Sequence, residues 1–266
     1  MYTFTLTTDY TGMQHWELLF FFFVIAFVYA SVGFGGGSSY LAVLALYPLA
    51  FQEIRLIALL CNIVVVTGGT ILFVRNGQVI WKKIVPLILV SVPMAYLGAS
   101  LRLEQDTFYV LLGVSLLGAA VLLWAQKRSA ALKKESIVYQ PNYTRDGLLG
   151  GSLGLLSGMV GIGGGIFLSP LLNLMKWDNA KRIAATASLF ILVNSVAGIA
   201  GQLAQLPSSV NFTRILLLAV AVLAGGQLGS RIAIARFNPM VIRRITAVLI
   251  FVAGLEVLYK HLPWFN

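Results

Sequence analysis

Long apolar runs separated by short polar breaks dominate the chain. Residues 56–74, 84–101, 107–125, 183–203, 215–235 and 241–259 are each nearly continuous in apolar side chains. Each has about the length, roughly 20 residues, that a helix needs to cross a hydrocarbon core about 30 Å thick. The continuity predicts helices, because barrel strands would alternate polar and apolar positions. Two further apolar regions are interrupted by glycine, the first at SVGFGGGSS (31–39) and the second at GIGGG (161–165).

These interruptions belong to a longer repeat. GFGGG at 33–37 and GIGGG at 161–165 lie 128 residues apart in a chain of 266. In both copies one apolar segment precedes the glycines and another follows them. A polar break with an arginine comes next, Arg55 or Arg182, and then three full-length apolar segments. The fourth segment of each unit also ends alike, YLGASL at 96–101 and QLGSRI at 227–232. The predicted fold is therefore an all-α, polytopic transmembrane bundle of two inverted-topology repeats, each a Gly-rich broken-helix hairpin plus three spanning helices. Residues 1–125 form the first repeat, with its N-terminus outside. Residues 126–146 form a cytoplasmic linker, and 147–266 the second repeat.

Composition supports this class: 59% of residues are hydrophobic and 11% charged, far from soluble globular usage. The formal charge of +10 arises from short basic runs between apolar segments, which is a topology signal rather than a nucleic-acid surface. With the N-terminus outside and each glycine-containing pair returning to its starting side, 15 of the 19 Lys and Arg fall on the cytoplasmic side. Arg55, Arg102, Arg214 and Lys260 remain outside. The N-terminus has no Lys or Arg before its apolar run, unlike a secretory signal peptide, and reads as an uncleaved segment. Each unit then crosses an odd number of times, which inverts the second copy. The lone Cys61 sits in an apolar segment and reads as a small packing residue.

The piece after the first glycines, Ser38–Phe51, has about 14 residues, or about 21 Å of helix, and the second-copy equivalent is shorter. Two half-helices meeting in a re-entrant hairpin are preferred to two complete spans. Irregular backbone at membrane depth requires protein or a water-filled cavity around it, and glycine accepts positive φ and close approach. In each copy the glycines precede a helix start, where unpaired N–H groups and the positive dipole end favour an anion. Candidate anion-binding residues are thus Gly35, Gly36, Gly37, Ser38 and Ser39 in the first copy and Gly163, Gly164 and Gly165 in the second. The competing reading is that these glycines only allow close helix packing.

Polar residues on the following apolar helices extend the list: Asn62, Thr67, Thr186, Ser188 and Asn194. Aligning Arg55 with Arg182 places Thr67 opposite Asn194. The alternative is that Ser and Thr bond their own helix while Asn makes interhelical contacts. Arg55 and Arg182 fall at opposite membrane faces, either as snorkelling interfacial arginines or as residues that draw anions into two vestibules. Glu53 and Asp178 are placed to pair with those arginines, and Glu256 with Lys260 at i+4. No catalytic set, metal-ligand spacing or Walker motif is apparent, so neither an enzyme nor a cofactor or metal is expected.

SVGFGGGSSYL, SGMVGIGGGIFLSPLL, the KRIAATASL stretch and the LGASL and LGSRI ends together resemble the sulfite exporter TauE/SafE family of bacterial membrane proteins, over about residues 16–260. The first copy departs from the second in having Tyr40, Leu41 and Ala42 where the second has Leu168, Ser169 and Pro170. The resemblance implies transport of sulfite, sulfoacetate or a related organosulfonate across the bacterial inner membrane. The expected function is a secondary transporter that exports such a small anion by alternating access, with an anion channel or a carrier of another small organic anion as the alternative. Its expected partners are the anion and the lipid bilayer, without nucleic acid; a homodimer is left open.

Overall fold

A computed structural model describes residues 16–30, 35–125, 142–205, 210–236 and 239–261, with side chains for all of these except 230–243. The N-terminal segment before Trp16, residues 31–34 of the first glycine stretch, most of the expected linker, and the side chains of Arg231, Arg236 and Arg243 lie outside this description.

Among the described residues the chain forms ten α-helices. They are α1 (Glu17–Ala30), α2 (Gly37–Leu44), α3 (Phe51–Arg75), α4 (Trp81–Ser100) and α5 (Gln105–Ala125), followed by α6 (Tyr143–Val160), α7 (Gly165–Leu174), α8 (Ala180–Gln202), α9 (Phe212–Arg236) and α10 (Pro239–His261). Five of them, α3, α4, α5, α8 and α9, are long and apolar enough to cross a membrane. Many large apolar side chains face outward, Leu89, Leu148, Phe212 and Leu216 among them, as a bilayer solvent requires. This is a multi-pass membrane protein.

Helices α2 and α7 have 8 and 10 residues, about 12 and 15 Å of rise, which is half a bilayer core. The lengths fit the hairpin expectation and do not fit complete spans. Packing pairs the two halves crosswise, α4 against α6 and α1 against α9, with α3 against α8 and α5 against α10. The crosswise pairs are set by small residues. Gly150, Gly154 and Gly158 of α6 bring its backbone against the carbonyls of Leu87, Ser91 and Ala95, and Gly225 and Gly229 of α9 do the same at Phe23 and Phe27. A methyl group at any of these five positions would overlap a carbonyl oxygen, so glycine is what permits the approach.

Direction can be read from the same contacts. Numbers rise together along α4 and α6 and along α1 and α9, so these pairs run parallel. Along α3 and α8 they oppose: Leu59 meets Gly198, whereas Thr70 meets Ser188. Gly113 of α5 packs on Leu258, while Ala120 and Trp124 lie beside Ala247 and Phe251 of α10, again antiparallel. The start of α3 thus lies at one end of the bundle and the start of α8 at the other.

Candidate functional site

Three of the helices that begin at polar breaks have side-chain caps. Asn142, Asn179 and Asn211 each accept from a backbone N–H three residues on, at 3.0 Å, at the starts of α6, α8 and α9, the usual device for a helix N-terminus. The two half-helices lack it, as do α3 and α4, whose N-caps are Ala50 and Ile80. Gly36 (φ 86°) and Gly164 (φ 77°) are the N-caps of α2 and α7, both left-handed and without a side-chain cap. Each carbonyl accepts two helix N–H groups at 3.0–3.2 Å. The N–H groups of Gly37, Ser38, Gly165 and Ile166 meet no acceptor among the described residues.

Both bare starts converge on Asn62. This residue is the twelfth of the 25 in α3, close to the helix midpoint, and is fully buried. Its Nδ2 donates to the Ile162 carbonyl at 3.0 Å, fixing the amide so that Oδ1 faces the other glycine turn. A methyl at Gly35 would fall 2.5 Å from that oxygen, and one at Gly163 would fall 2.8 Å from Nδ2. A methyl at Gly37 would overlap Nδ2 and lie 2.6 Å from the Ile162 oxygen. Here is a cavity of about 10 Å³, lined by Tyr29, Gly35–Ser38 and Asn62 from the first half and by Ile162, Ile166 and Ile191 from the second. It has room for about one water molecule. The first two residues of α2 and the second of α7 face the same space.

Other expected residues divide. Ser38 lines the cavity, and Ser39 is held by the Tyr29 hydroxyl at 2.6 Å. Asn194 is fully buried on α8, and its Nδ2 donates to Phe190 O of its own helix at 2.9 Å. Thr67 follows the alternative reading, bonding Ile63 O one turn back at 2.6 Å. Ser188 is engaged by Thr70 at 2.9 Å, tying α8 to α3. Thr186 is buried on α8, with no hydrogen bond to the Asn62 cluster. Sequence reasoning missed Tyr29, Tyr40 and Ser195. The Tyr40 hydroxyl and Ser195 Oγ are buried without a partner, 3.0 Å and 3.2 Å from where methyls on Gly36 and Gly163 would stand. Tyr29 was available as a lone hydroxyl on an apolar helix, and Ser195 as the neighbour of Asn194.

Arg55 requires a correction. It neither snorkels nor lines an open vestibule; it is fully buried. Its Nη2 donates to Gly158 O at 2.8 Å and Ala99 O at 3.3 Å, carbonyls at the C-terminal ends of α6 and α4, where a cation is favourable. Arg182 does lie at an exposed edge, its side chain 42% accessible. Glu53 pairs not with Arg55 but with Arg214 of α9 at 3.0 Å. Asp178 is shared between Arg182 at 3.4 Å and Lys83 of α4 at 2.6 Å. Burial pushes the Asp178 carboxyl up, but hydrogen bonds from Lys83 and the Asn179 N–H, with the charges of Lys83 and Arg182, hold it below the usual value. Both partners of each pair fall on the same side in the charge-based topology, and the two pairs lie at opposite ends of the bundle. Glu256 and Lys260 pair at 2.9 Å, as their spacing predicts.

The sulfite exporter TauE/SafE family model matches residues 18–257, nearly the whole chain. The chain belongs to the TauE/SafE family. It is also similar to the probable membrane transporter protein y4hK of Sinorhizobium fredii (strain NBRC 101917 / NGR234). The two are 35% identical over 242 residues, covering 90% of this chain and 96% of that relative. No solved structure matches. Within this TauE/SafE member the family match spans both glycine turns and every helix that packs around Asn62.

Proposed function

We propose that this membrane transporter is a secondary carrier exporting a small sulfur-containing anion, sulfite or an organosulfonate such as sulfoacetate, across the bacterial inner membrane. The observation that carries the reading is the single buried cavity shared by the uncapped starts of α2 and α7. Bare N–H groups at helix N-termini suit an anion and repel a cation. Antiparallel α3 and α8, and antiparallel α5 and α10, support two inverted repeats, residues 1–125 and 147–266 joined by 126–146, with the anion between them. The small size of the cavity supports a carrier whose site must enlarge toward one side at a time. The Glu53–Arg214 and Lys83–Asp178 pairs bridge the halves at opposite ends and serve as the contacts that open alternately.

The test is counterflow in proteoliposomes loaded with unlabelled sulfite. Saturable uptake of labelled sulfite against its gradient supports the carrier. Conductance without counterflow would make the protein a channel, and no movement of sulfite or sulfonates would reject the substrate class.

A further inference from the structure

We infer that the site this cavity marks is matched to a single negative charge: once enlarged from its one-water size, it accepts a sulfonate or a protonated oxyanion such as hydrogensulfite and refuses a doubly charged tetrahedral anion such as sulfate. The inference rests on the anion-site reading above and adds a rule of selection to it.

The positive potential available in the cavity can be counted. A helix N-terminus carries about half an elementary charge, concentrated on its free N–H groups. Two such starts face the cavity, through Gly37 and Ser38 of α2 and Ile166 of α7, so together they offer about one charge. Among the described residues no lysine, arginine or histidine lines the cavity. Arg55 is on the same helix as Asn62 but seven residues away, about 10 Å along the axis; its stem packs against Gly161 and its Nη2 donates to Gly158 and Ala99, outside the cavity wall.

Two fully buried side chains sharpen the count. Ser195 Oγ has no partner and stands 3.2 Å from the methyl position of Gly163, behind the second glycine turn rather than on the cavity wall, and it is neutral. Asn62 Oδ1 also has no partner, yet it is an acceptor, and the bond from Nδ2 to Ile162 holds it facing Gly35 of the first glycine turn. Its negative end beside the anion is tolerable for one charge and adverse for two. A second charge would be buried with nothing to pair with it, the costliest arrangement for an ion in a low-dielectric interior.

The experiment is titration calorimetry on the purified full-length protein in nanodiscs, with methanesulfonate and sulfate at matched ionic strength. Methanesulfonate should bind, sulfate at least about a hundredfold more weakly, and methanesulfonate binding should be lost in Gly37→Ala. Equal binding of the two anions would overturn charge matching while leaving an anion site in place. Binding of neither, or binding that survives Gly37→Ala, would overturn the site and this inference with it.

Discussion

Replacing Gly37 by alanine adds one methyl group at the start of α2. Position 37 is helical and alanine is at ease there, so backbone strain is not the issue; space is. The new carbon would lie 2.6 Å from the Ile162 carbonyl oxygen and overlap Asn62 Nδ2, about 0.8 Å inside ordinary contact at 3.4 Å. The obstacle is backbone on one side and a hydrogen-bonded, fully buried amide on the other, so neither can give without separating Asn62 from Ile162. Overpacking of this kind costs about 1–3 kcal/mol, and leaving the buried amide unpaired adds about 1–3 kcal/mol. Gly37→Ala should therefore destabilise the protein by about 2–5 kcal/mol and lower anion affinity at least tenfold, about 1.4 kcal/mol. Gly118→Ala, inside α5 with nothing within 4 Å of its methyl, is the control and should leave the anion response unchanged and stability unchanged or raised by up to about 1 kcal/mol. Reversible unfolding in detergent measures the first effect and anion-dependent thermal stabilisation the second. A Gly37→Ala protein as stable and as responsive to anion as the parent would refute the contact between the two glycine turns.

Arg55→Met removes charged donors from two buried helix-end carbonyls and should cost about 2–5 kcal/mol, whereas Arg182→Met should change stability by less than about 0.5 kcal/mol; the same unfolding assay separates them. The depressed Asp178 carboxyl contributes stability that is present above the unfolded-state value of about 3.9 and lost as pH falls through its lower folded value. Asp178→Asn should accordingly flatten the acid limb of a stability–pH profile. A double-mutant cycle on Glu53 and Arg214 should return a coupling near 1 kcal/mol, and Glu53→Gln should raise labelling, by an impermeant maleimide, of a cysteine placed at Ser38 from the outer side.

The hairpins were legible in the chain because glycine clusters inside apolar runs have few other uses, and because 14 residues are too few to span a bilayer. The crosswise packing was only half legible. The repeat set out two matching halves without pairing their helices, and the stripes Gly150–Gly154–Gly158 and Gly225–Gly229 needed a partner backbone to acquire meaning. The polar register failed for a physical reason. It was anchored on Arg55 and Arg182 as equivalents, yet Arg55 is buried against two helix ends and Arg182 sits at an exposed edge. Thr67 was consequently set opposite Asn194 and instead bonds its own helix. Asn62, Tyr29 and Ser195 are joined by tertiary contacts between segments more than a hundred residues apart or by a hairpin fold, and no local spacing carries that information.

The most direct test of the central claim is a structure determined with selenite, an oxyanion of the shape of sulfite whose heavy atom is identified by anomalous scattering. An anion held by the two half-helices should give one peak between the starts of α2 and α7, its oxygens about 3 Å from the Gly37 and Ile166 backbone nitrogens. A saturating anion that leaves this place empty and occupies another, such as the Arg182 edge, would contradict it.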